Sequence, residues 1–146
     1  MSKCIICGGR DFAIQQFSPN VAEKLESELR AIFTIERVDE EVCGMARGAD
    51  EYGASFAKQL GIPVKEFPAY WDNTTPSPTE PVSIGVNKRG DKYNKIAGIN
   101  RNRRMAEYVY LSNVCDFTVS HDGCARRVNY SKKGRCSIIG KEAVLI

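Results

Sequence analysis

Residues 3–11 read KCIICGGRD, a short apolar run that stops at two glycines. A continuous apolar run of this length, bounded by glycine, is typical of a buried strand that breaks into a turn. The pattern returns at residues 41–50, EVCGMARGAD, where a second apolar run ends in a glycine-containing turn. Between the two, residues 19–33 space their apolar side chains three to four positions apart, and Ser18 and Pro19 are placed to begin a helix. The stretch therefore predicts a strand, a helix and a second strand.

A second helix is predicted over residues 49–60, where Gly61 would end it. Its predicted inward-facing residues are Ala54, Phe56, Ala57 and Leu60. Residues 72–91 carry prolines at 76, 78 and 81 and little periodicity, which predicts an exposed loop or excursion rather than an element. The other predicted elements are a strand at 62–68, a helix at 95–111, a strand at 115–119, a short helix at 125–133, a strand at 136–139 and an extension of the sheet at 143–146.

This alternation of strands and helices predicts the fold class. The chain has 146 residues, 42% of them hydrophobic, which is enough for one core and favours a single domain over 1–146. The strands lack in/out alternation, so we expect a mainly parallel sheet of about five strands with helices on both faces, a Rossmann-like three-layer α/β domain. Ligands of such sheets bind at the carboxyl ends of the strands.

Charge and cysteine content limit the partners and the compartment. The net charge of +3, from 21 basic and 18 acidic residues, is too small to predict a nucleic-acid partner. Six cysteines without a secretory signal favour reduced thiols in the cytoplasm. Cys4 and Cys7 form a C-x2-C within a predicted strand, which sends them to opposite faces and disfavours a zinc site. No metal or cofactor is expected, and no apolar run approaches the ~20 residues of a membrane span.

The turn at residues 8–11 is the first candidate ligand site. Gly8 and Gly9 allow bare backbone N–H groups to approach an anion, and Arg10 adds a forked donor suited to a phosphate or carboxylate. Asp11 can accept a hydrogen bond from a ribose hydroxyl or hold Arg10 in place. The simpler alternative is a turn with a surface ion pair.

The turn at residues 46–50 has the same composition. Arg47, Gly48, Ala49 and Asp50 open a predicted helix, whose unpaired N–H groups and positive dipole end favour an anion. Asp50 can instead serve only as a capping acid. Neither turn matches a Walker A or G-x-G-x-x-G motif, so the prediction rests on two similar turns at successive strand ends.

Other candidates are spread through the chain. Arg101 can reach a phosphate from the first turns of the third helix, and Asn102 can bind a base, a ribose or a neighbouring loop, whereas Arg103 and Arg104 are expected to face solvent. Trp71 can stack on a base or plug the core beneath the 72–91 loop. His121, Asp122 and Gly123 follow a predicted strand and complete the predicted site. His121 is the only histidine and has no partner at motif spacing, so no catalytic residue is assigned.

These segments resemble the SLOG superfamily of Rossmann-like proteins and its YspA-like branch. The resemblance rests on GGRDF at 8–12, CGMARGADEYGASFAKQLGIPVKEFPAYW at 43–71, AGINRNRRMAEY at 97–108 and DG at 122–123. It implies a nucleotide pocket at the strand carboxyl ends and a homo-oligomer. Some relatives are phosphoribohydrolases that cut the N-glycosidic bond of nucleoside monophosphates; others bind NAD- or ADP-ribose-like signals, and one branch handles single-stranded DNA.

The chain departs from this family pattern after residue 123. Residues 124–130 read CARRVNY, where a glycine-threonine turn and a catalytic glutamate would follow in the hydrolases. We therefore expect a binder of a phosphorylated nucleotide or ADP-ribose-type metabolite, acting as a sensor or sequestering protein, such as a phage protein directed at an immune signal. Arg126 and Arg127 are candidates to replace the lost turn. The alternatives are a nucleotide N-glycosidase and a single-stranded DNA-binding module that uses the basic tail.

Overall fold

A computed structural model describes residues 2–8, 10 and 12–109 and, beyond them, the backbone of residues 113–119, 125–130 and 136–138. The described chain alternates strands with three α-helices before ending in three strands. The elements are β1 (Ser2–Gly8), α1 (Pro19–Ile35), β2 (Val38–Cys43), α2 (Ala49–Gln59), β3 (Val64–Glu66), β4 (Ile84–Val86), β5 (Lys92–Asn94), α3 (Ala97–Val109), β6 (Asn113–Val119), β7 (Ala125–Tyr130) and β8 (Cys136–Ile138).

The main sheet has the strand order β3-β2-β1-β6-β7-β8. The first four strands in this order pair in parallel, whereas β7 pairs antiparallel with both β6 and β8. The mixed α/β class is confirmed, and the sheet holds six described strands where about five were expected. Because β2 and β6 flank β1 on opposite sides, the connections reverse direction at β1, which is where open α/β sheets form ligand crevices.

The first helix begins where its sequence predicts and ends at Ile35, two residues beyond the predicted range. The Ser18 hydroxyl accepts a hydrogen bond from the Val21 backbone N–H, and Pro19 stands in the first turn. The residues buried on α1 are Leu25, Leu29, Ile32 and Phe33. Their spacing of three to four gives one apolar stripe, and this stripe holds the helix against the sheet.

The second helix differs from its prediction at its inner face. Gly61 follows α2 with a φ of 72°, as expected for a glycine that ends a helix. Phe56 and Ala57 are buried, but Ala54 and Leu60 are only half-buried. Gly53 lies directly against the sheet, where a Cβ atom would lie 2.6 Å from Cβ of Ile6.

Apolar side chains of β1 pack on both faces of the sheet. Cys4 and Ile6 belong to a cluster with α1 and α2, whereas Ile5 packs with Met105 and Val109 of α3. Cys7 lies on the α3 side, so Cys4 and Cys7 occupy opposite faces as predicted. None of the helices in the described ranges has the length and apolarity needed to cross a bilayer.

Two predictions about local structure are wrong. Residues 72–91 are not all loop, because β4 and β5 pair in an antiparallel hairpin whose turn is closed by the Asn87 side chain, accepting from the N–H groups of Arg89 and Asp91. The helix predicted at 125–133 is also wrong. Residues 125–130 form β7, paired with β6, because strand pairing overrides the local spacing. The extension predicted at 143–146 lies outside the described residues.

Candidate ligand-binding site

The two predicted turns lie at one edge of the sheet. Since β1 and β2 are neighbours and parallel, their carboxyl ends project the same way, so Gly8 and Arg10 lie beside the segment that leads into α2. Arg10 and Arg47 are both exposed, and neither forms an ion pair or hydrogen bond with another described residue. Gly9 and Asp11 lie outside the described residues.

Arg10, Arg47 and Gly48 line one cavity, which we call the α1/α2 groove. It has a volume of about 770 Å³ and runs between α1, α2 and the segment before α1. Three carboxylates line it as well, those of Glu23, Glu26 and Glu51. The other lining residues are Phe12, Ala13, Gln15, Pro19, Ala22, Tyr52, Ser55, Phe56 and Gln59.

Aromatic rings form the inner wall of the α1/α2 groove. The Phe12 ring lies 5.3 Å from that of Tyr52 and 5.5 Å from that of Phe17, and Tyr52 in turn stacks on Phe56. Burial, together with the negative charge of Glu26, raises the pKa of Tyr52 to about 12. The Tyr52 hydroxyl therefore keeps its proton at neutral pH and can donate a hydrogen bond.

The turn between β2 and α2 is closed by Asp50. Its carboxylate is buried, with 8% of the residue exposed, and accepts a hydrogen bond of 3.3 Å from the Ala46 backbone N–H. Burial raises the pKa of Asp50, whereas this N–H and the charges of Arg101 and Arg10 lower it, with a net rise. Asp50 and the buried Ala49 thus support the turn from inside, and neither lines the α1/α2 groove.

The predicted residues of α3 reach the same edge from the opposite face of the sheet. Arg101 donates to the Gly44 carbonyl through Nη1 and to the Asn102 side-chain oxygen through Nε, at 2.9 Å for the latter. A Cβ on Gly44 would lie 2.7 Å from Oδ2 of Asp50 and 3.2 Å from Cζ of Arg101. Gly44 is thus where Asp50 and Arg101 approach each other, and sequence analysis missed this role. The available signal was a glycine directly after an apolar run.

No family model, curated protein or solved structure matches the chain. The resemblance to the SLOG superfamily therefore stays a prediction. Two further parts of that site stay untested, because His121, Asp122 and Gly123 lie outside the described residues and only the backbone of Arg126 and Arg127 is described.

Trp71 lies away from the α1/α2 groove. It is 43% exposed and lies beside Gly98 at the start of α3, and its carbonyl accepts a 2.7 Å hydrogen bond from the Asn94 N–H. It is therefore not a buried plug beneath the 72–91 segment. The structure brings Arg10, Arg47 and Gly48 together in one groove and leaves Trp71 on the α3 side.

Arg104 was expected to face solvent, and the structure shows this expectation to be wrong. Its Nη2 donates to the Pro68 carbonyl at 2.8 Å, and its guanidinium lies 4.4 Å from the centre of the Tyr70 ring. Its Nε is 3.0 Å from a carboxylate oxygen of Glu80, an ion pair without hydrogen-bond geometry. Arg104 therefore ties the 68–82 segment to α3.

Glu41 is a second feature that sequence analysis missed. It is fully buried on β2, and neither carboxylate oxygen makes a hydrogen bond of good geometry with a described residue. Desolvation and then the charge of Asp50 raise its pKa to about 8, although the Ile6 N–H and Lys58 lower it. Glu41 is therefore largely protonated at neutral pH. Its neighbour Cys43 has a pKa raised to about 12 by burial and by Glu41, so that thiol is unreactive.

Proposed function

We propose that this protein binds a phosphorylated nucleotide or an ADP-ribose-type metabolite in the α1/α2 groove, as a sensor or sequestering protein. One observation carries the proposal. The exposed guanidinium groups of Arg10 and Arg47 come from turns after two adjacent parallel strands and line the same groove. Guanidinium groups bind phosphate through paired, charge-assisted hydrogen bonds, so two of them at one end favour a phosphorylated ligand.

The helices support an anion at the same end. Both α1 and α2 begin at this edge, because each follows a strand that ends there. Helix N-termini carry partial positive charge, worth about 0.3–1 kcal/mol each toward a nearby anion at an exposed site. Gly48, which precedes α2 with a φ of 81°, places no side chain between the helix end and the groove.

The remaining part of the groove suits a nucleoside. Phe12 and Tyr52 offer aromatic surface on which a base can stack, and carboxylates can accept hydrogen bonds from ribose hydroxyls. A volume of about 770 Å³ lies within the range of small-molecule and cofactor sites. Binding is proposed over hydrolysis because residues 124–130 lack the glutamate of the hydrolases that the sequence resembles.

The wider proposal follows from the same resemblance. In it, the chain is a single SLOG-like domain of Rossmann-like three-layer architecture that works in the cytoplasm as a homo-oligomer. A phage origin and an immune nucleotide signal as the ligand belong to the proposal too. The sheet order, with its reversal at β1, supports the architecture.

The test is a binding screen with recovery of the ligand. The protein is incubated with nucleoside monophosphates, NAD and cyclic ADP-ribose isomers, and then both the native mixture and the heat-released ligand are chromatographed. We expect depletion of one compound and its intact recovery on heating. Free base that accumulates with turnover would instead identify an N-glycosidase. Salt-sensitive retention of a single-stranded oligonucleotide would favour the DNA-binding alternative.

Two arginine substitutions locate the site. Arg10→Ala and Arg47→Ala should each weaken binding of the recovered ligand about tenfold or more, because each removes a charge-assisted hydrogen bond worth about 1.5–3 kcal/mol. Arg89→Ala is the matched control, since Arg89 is exposed in the β4–β5 turn and does not line the groove. Unchanged affinity in both groove variants would contradict the proposed site.

A further inference from the structure

The hairpin of β4 and β5 carries a concentration of positive charge. Residues 84–95 hold four basic residues and one acidic residue, so their net charge of +3 equals that of the whole chain. The basic residues are all exposed, and none forms an ion pair with another described residue; they are Lys88, Arg89, Lys92 and Lys95. The net charge of the chain is small, but exposed and unpaired cations on one short element attract a polyanion locally.

The turn at the tip of the hairpin is held in one geometry. The Asn87 side-chain oxygen accepts hydrogen bonds from the Arg89 and Asp91 backbone N–H groups, at 2.9 and 3.0 Å. The Asn87 N–H donates to the Asp91 carbonyl, and the Asn87 carbonyl accepts from the Gly90 N–H, both at 3.0 Å. Gly90 has a φ of 86°, which only glycine adopts without steric cost and which closes hairpins with three-residue loops. Lys88 and Arg89 therefore stand on a preorganised turn, which lowers the entropy cost of binding.

The hairpin is fastened to the domain at its base through Asn94. The Asn94 side chain is buried, and its oxygen accepts hydrogen bonds from the Ser83 and Ile96 N–H groups. The Asn94 N–H donates to the Trp71 carbonyl. Among the described residues, no hydrogen bond or ion pair links residues 84–92 to residues outside the hairpin. The tip is therefore open to a partner while the base is fixed.

One face of the hairpin is apolar and exposed. Ile84 and Val86 lie on the same face of β4 and are 45% and 63% exposed, and Lys92 lies directly across from Val86 on β5. The opposite face is filled by the Tyr93 ring, since a Cβ on Gly85 would lie 2.8 Å from two of its atoms. Apolar side chains flanked by cations suit the major groove of DNA, where they contact thymine methyl groups while Lys and Arg contact phosphates.

The shape of the hairpin favours a duplex over a single strand. The major groove of DNA, about 12 Å wide, admits a two-stranded β-ribbon. Single strands are held largely by stacking of their bases on exposed aromatic rings. Tyr93 is the only aromatic residue in 84–95, and it is half-buried against Gly85.

We propose that the β4–β5 hairpin binds duplex DNA, with its exposed apolar face in the major groove and Lys88, Arg89 and Lys92 on the phosphates. Duplex DNA carries one negative charge for about 1.7 Å of its axis, so several cations on one short hairpin meet phosphates at once. This site goes beyond the proposed function and does not rest on it, because no residue of the hairpin lines the α1/α2 groove.

Fluorescence anisotropy with a labelled DNA duplex of about 20 base pairs and mixed sequence tests the charges over a salt series. The affinity should fall about a hundredfold between about 50 and 200 mM salt, because about four cations displace counterions from the phosphates. The double variant Lys88→Gln/Arg89→Gln should bind about tenfold more weakly at the lower salt concentration and reduce the slope of log affinity against log salt by about 2. The matched control is Lys24→Gln/Lys58→Gln, which removes the same charge at exposed sites on α1 and α2 and should keep the slope.

Two further measurements test the apolar face and the choice of duplex. Ile84→Thr/Val86→Thr keeps the β-branched shape and should weaken binding about fivefold without a change in the salt slope. A single strand of the same length should bind about tenfold more weakly than the duplex. Arg10→Ala/Arg47→Ala should leave duplex binding unchanged, so this site and the α1/α2 groove can fail independently.

Four results would overturn the inference. They are the absence of duplex binding at low salt, an unchanged salt slope in Lys88→Gln/Arg89→Gln, an equal loss in Lys24→Gln/Lys58→Gln, and single-strand binding as tight as that of the duplex. The third result would show that net charge alone attracts the DNA. Unchanged affinity in Ile84→Thr/Val86→Thr would overturn the placement of the apolar face in the major groove.

Discussion

The two faces of the sheet are held by different kinds of interaction. On the face covered by α1 and α2, buried side chains such as Leu29, Ile32 and Phe56 pack on Cys4 and Ile6 in one large apolar cluster. On the α3 face, the apolar cluster is smaller, and polar groups make the remaining links. Those links include Arg101 to Gly44, Arg104 to Pro68 and Asn100 to Pro81.

The two faces therefore contribute differently: the first mainly stabilises the fold, and the second mainly positions individual segments. Apolar packing on the first face is non-directional and scales with buried area, so it supplies most of the folding free energy. Side-chain hydrogen bonds to backbone on the α3 face contribute about 1 kcal/mol each, but they fix a segment in one geometry. The α1/α2 groove therefore lies on the apolar side, and the segment at 68–82 is held by a few polar contacts.

The largest expected effect concerns Glu41, the glutamate buried on the face of the sheet that α1 and α2 cover. Glu41 has a folded-state pKa of about 8, raised from its ordinary value of 4.5. As pH rises through this window, the unfolded chain releases the proton and the folded protein retains it, so stability is lost progressively from about pH 4.5 to pH 8. The loss is on the order of 5 kcal/mol for the full window. Glu41→Gln should remove most of it.

Urea unfolding at pH 5, 7 and 8.5 measures this effect. The free energy of unfolding of the Glu41→Gln variant should change much less with pH, and any slope that Asp50 leaves has the same sign, because its pKa is also raised. Glu107→Gln, at an exposed site, should keep the slope of the unsubstituted protein. Identical slopes for Glu41→Gln and the unsubstituted protein would show that Glu41 is not the buried titrating group.

A second prediction tests the close packing of α2 on β1. At Gly53 a Cβ would lie 2.6 Å from Cβ of Ile6, so Gly53→Val must push the helix outward, and we expect a destabilisation of about 2–3 kcal/mol. Ser55→Val on the same helix is the control, because Ser55 is exposed in the groove wall and should change stability by less than about 1 kcal/mol. Equal losses in the two variants would contradict the close packing of α2 on β1 as the cause, since valine is a better helix former than glycine.

The apolar face is also the part of the fold that sequence could predict. Regular spacing and a Ser18-Pro19 start identify α1 because both signals are local. Gly53 was not predicted to face the sheet, because glycine has no side chain and so adds nothing to an apolar pattern. Strands β4 and β5 have three residues each, too few for alternation to show, and the pairing of β7 with β6 depends on a neighbouring strand.

The candidate site was predictable to a similar degree. Glycine turns after apolar runs indicated Arg10, Arg47 and Gly48, since a strand end and a turn are local features. The glutamates of the groove were not predicted, because each looks like an ordinary exposed helix residue until α1 and α2 are placed side by side. Arg101 contacts Gly44 across 57 residues, and local spacing carries no information on such a contact.

The smallest expected effect lies on the polar α3 face. Arg104→Ala removes the hydrogen bond to Pro68, the ion pair with Glu80 and the contact with the Tyr70 ring. Because Arg104 is partly exposed, we expect a global destabilisation of only about 1 kcal/mol.

Amide hydrogen exchange should nevertheless accelerate locally over residues 68–82, since these contacts tie that segment to α3. Arg103→Ala is the matched control, because Arg103 makes no hydrogen bond or ion pair with a described residue and should leave exchange unchanged. Slower or unaltered exchange at 68–82 in Arg104→Ala would contradict the positioning role assigned to the polar links of this face. Faster exchange there, with unchanged protection of α1 and α2, would show that the two faces are stabilised independently.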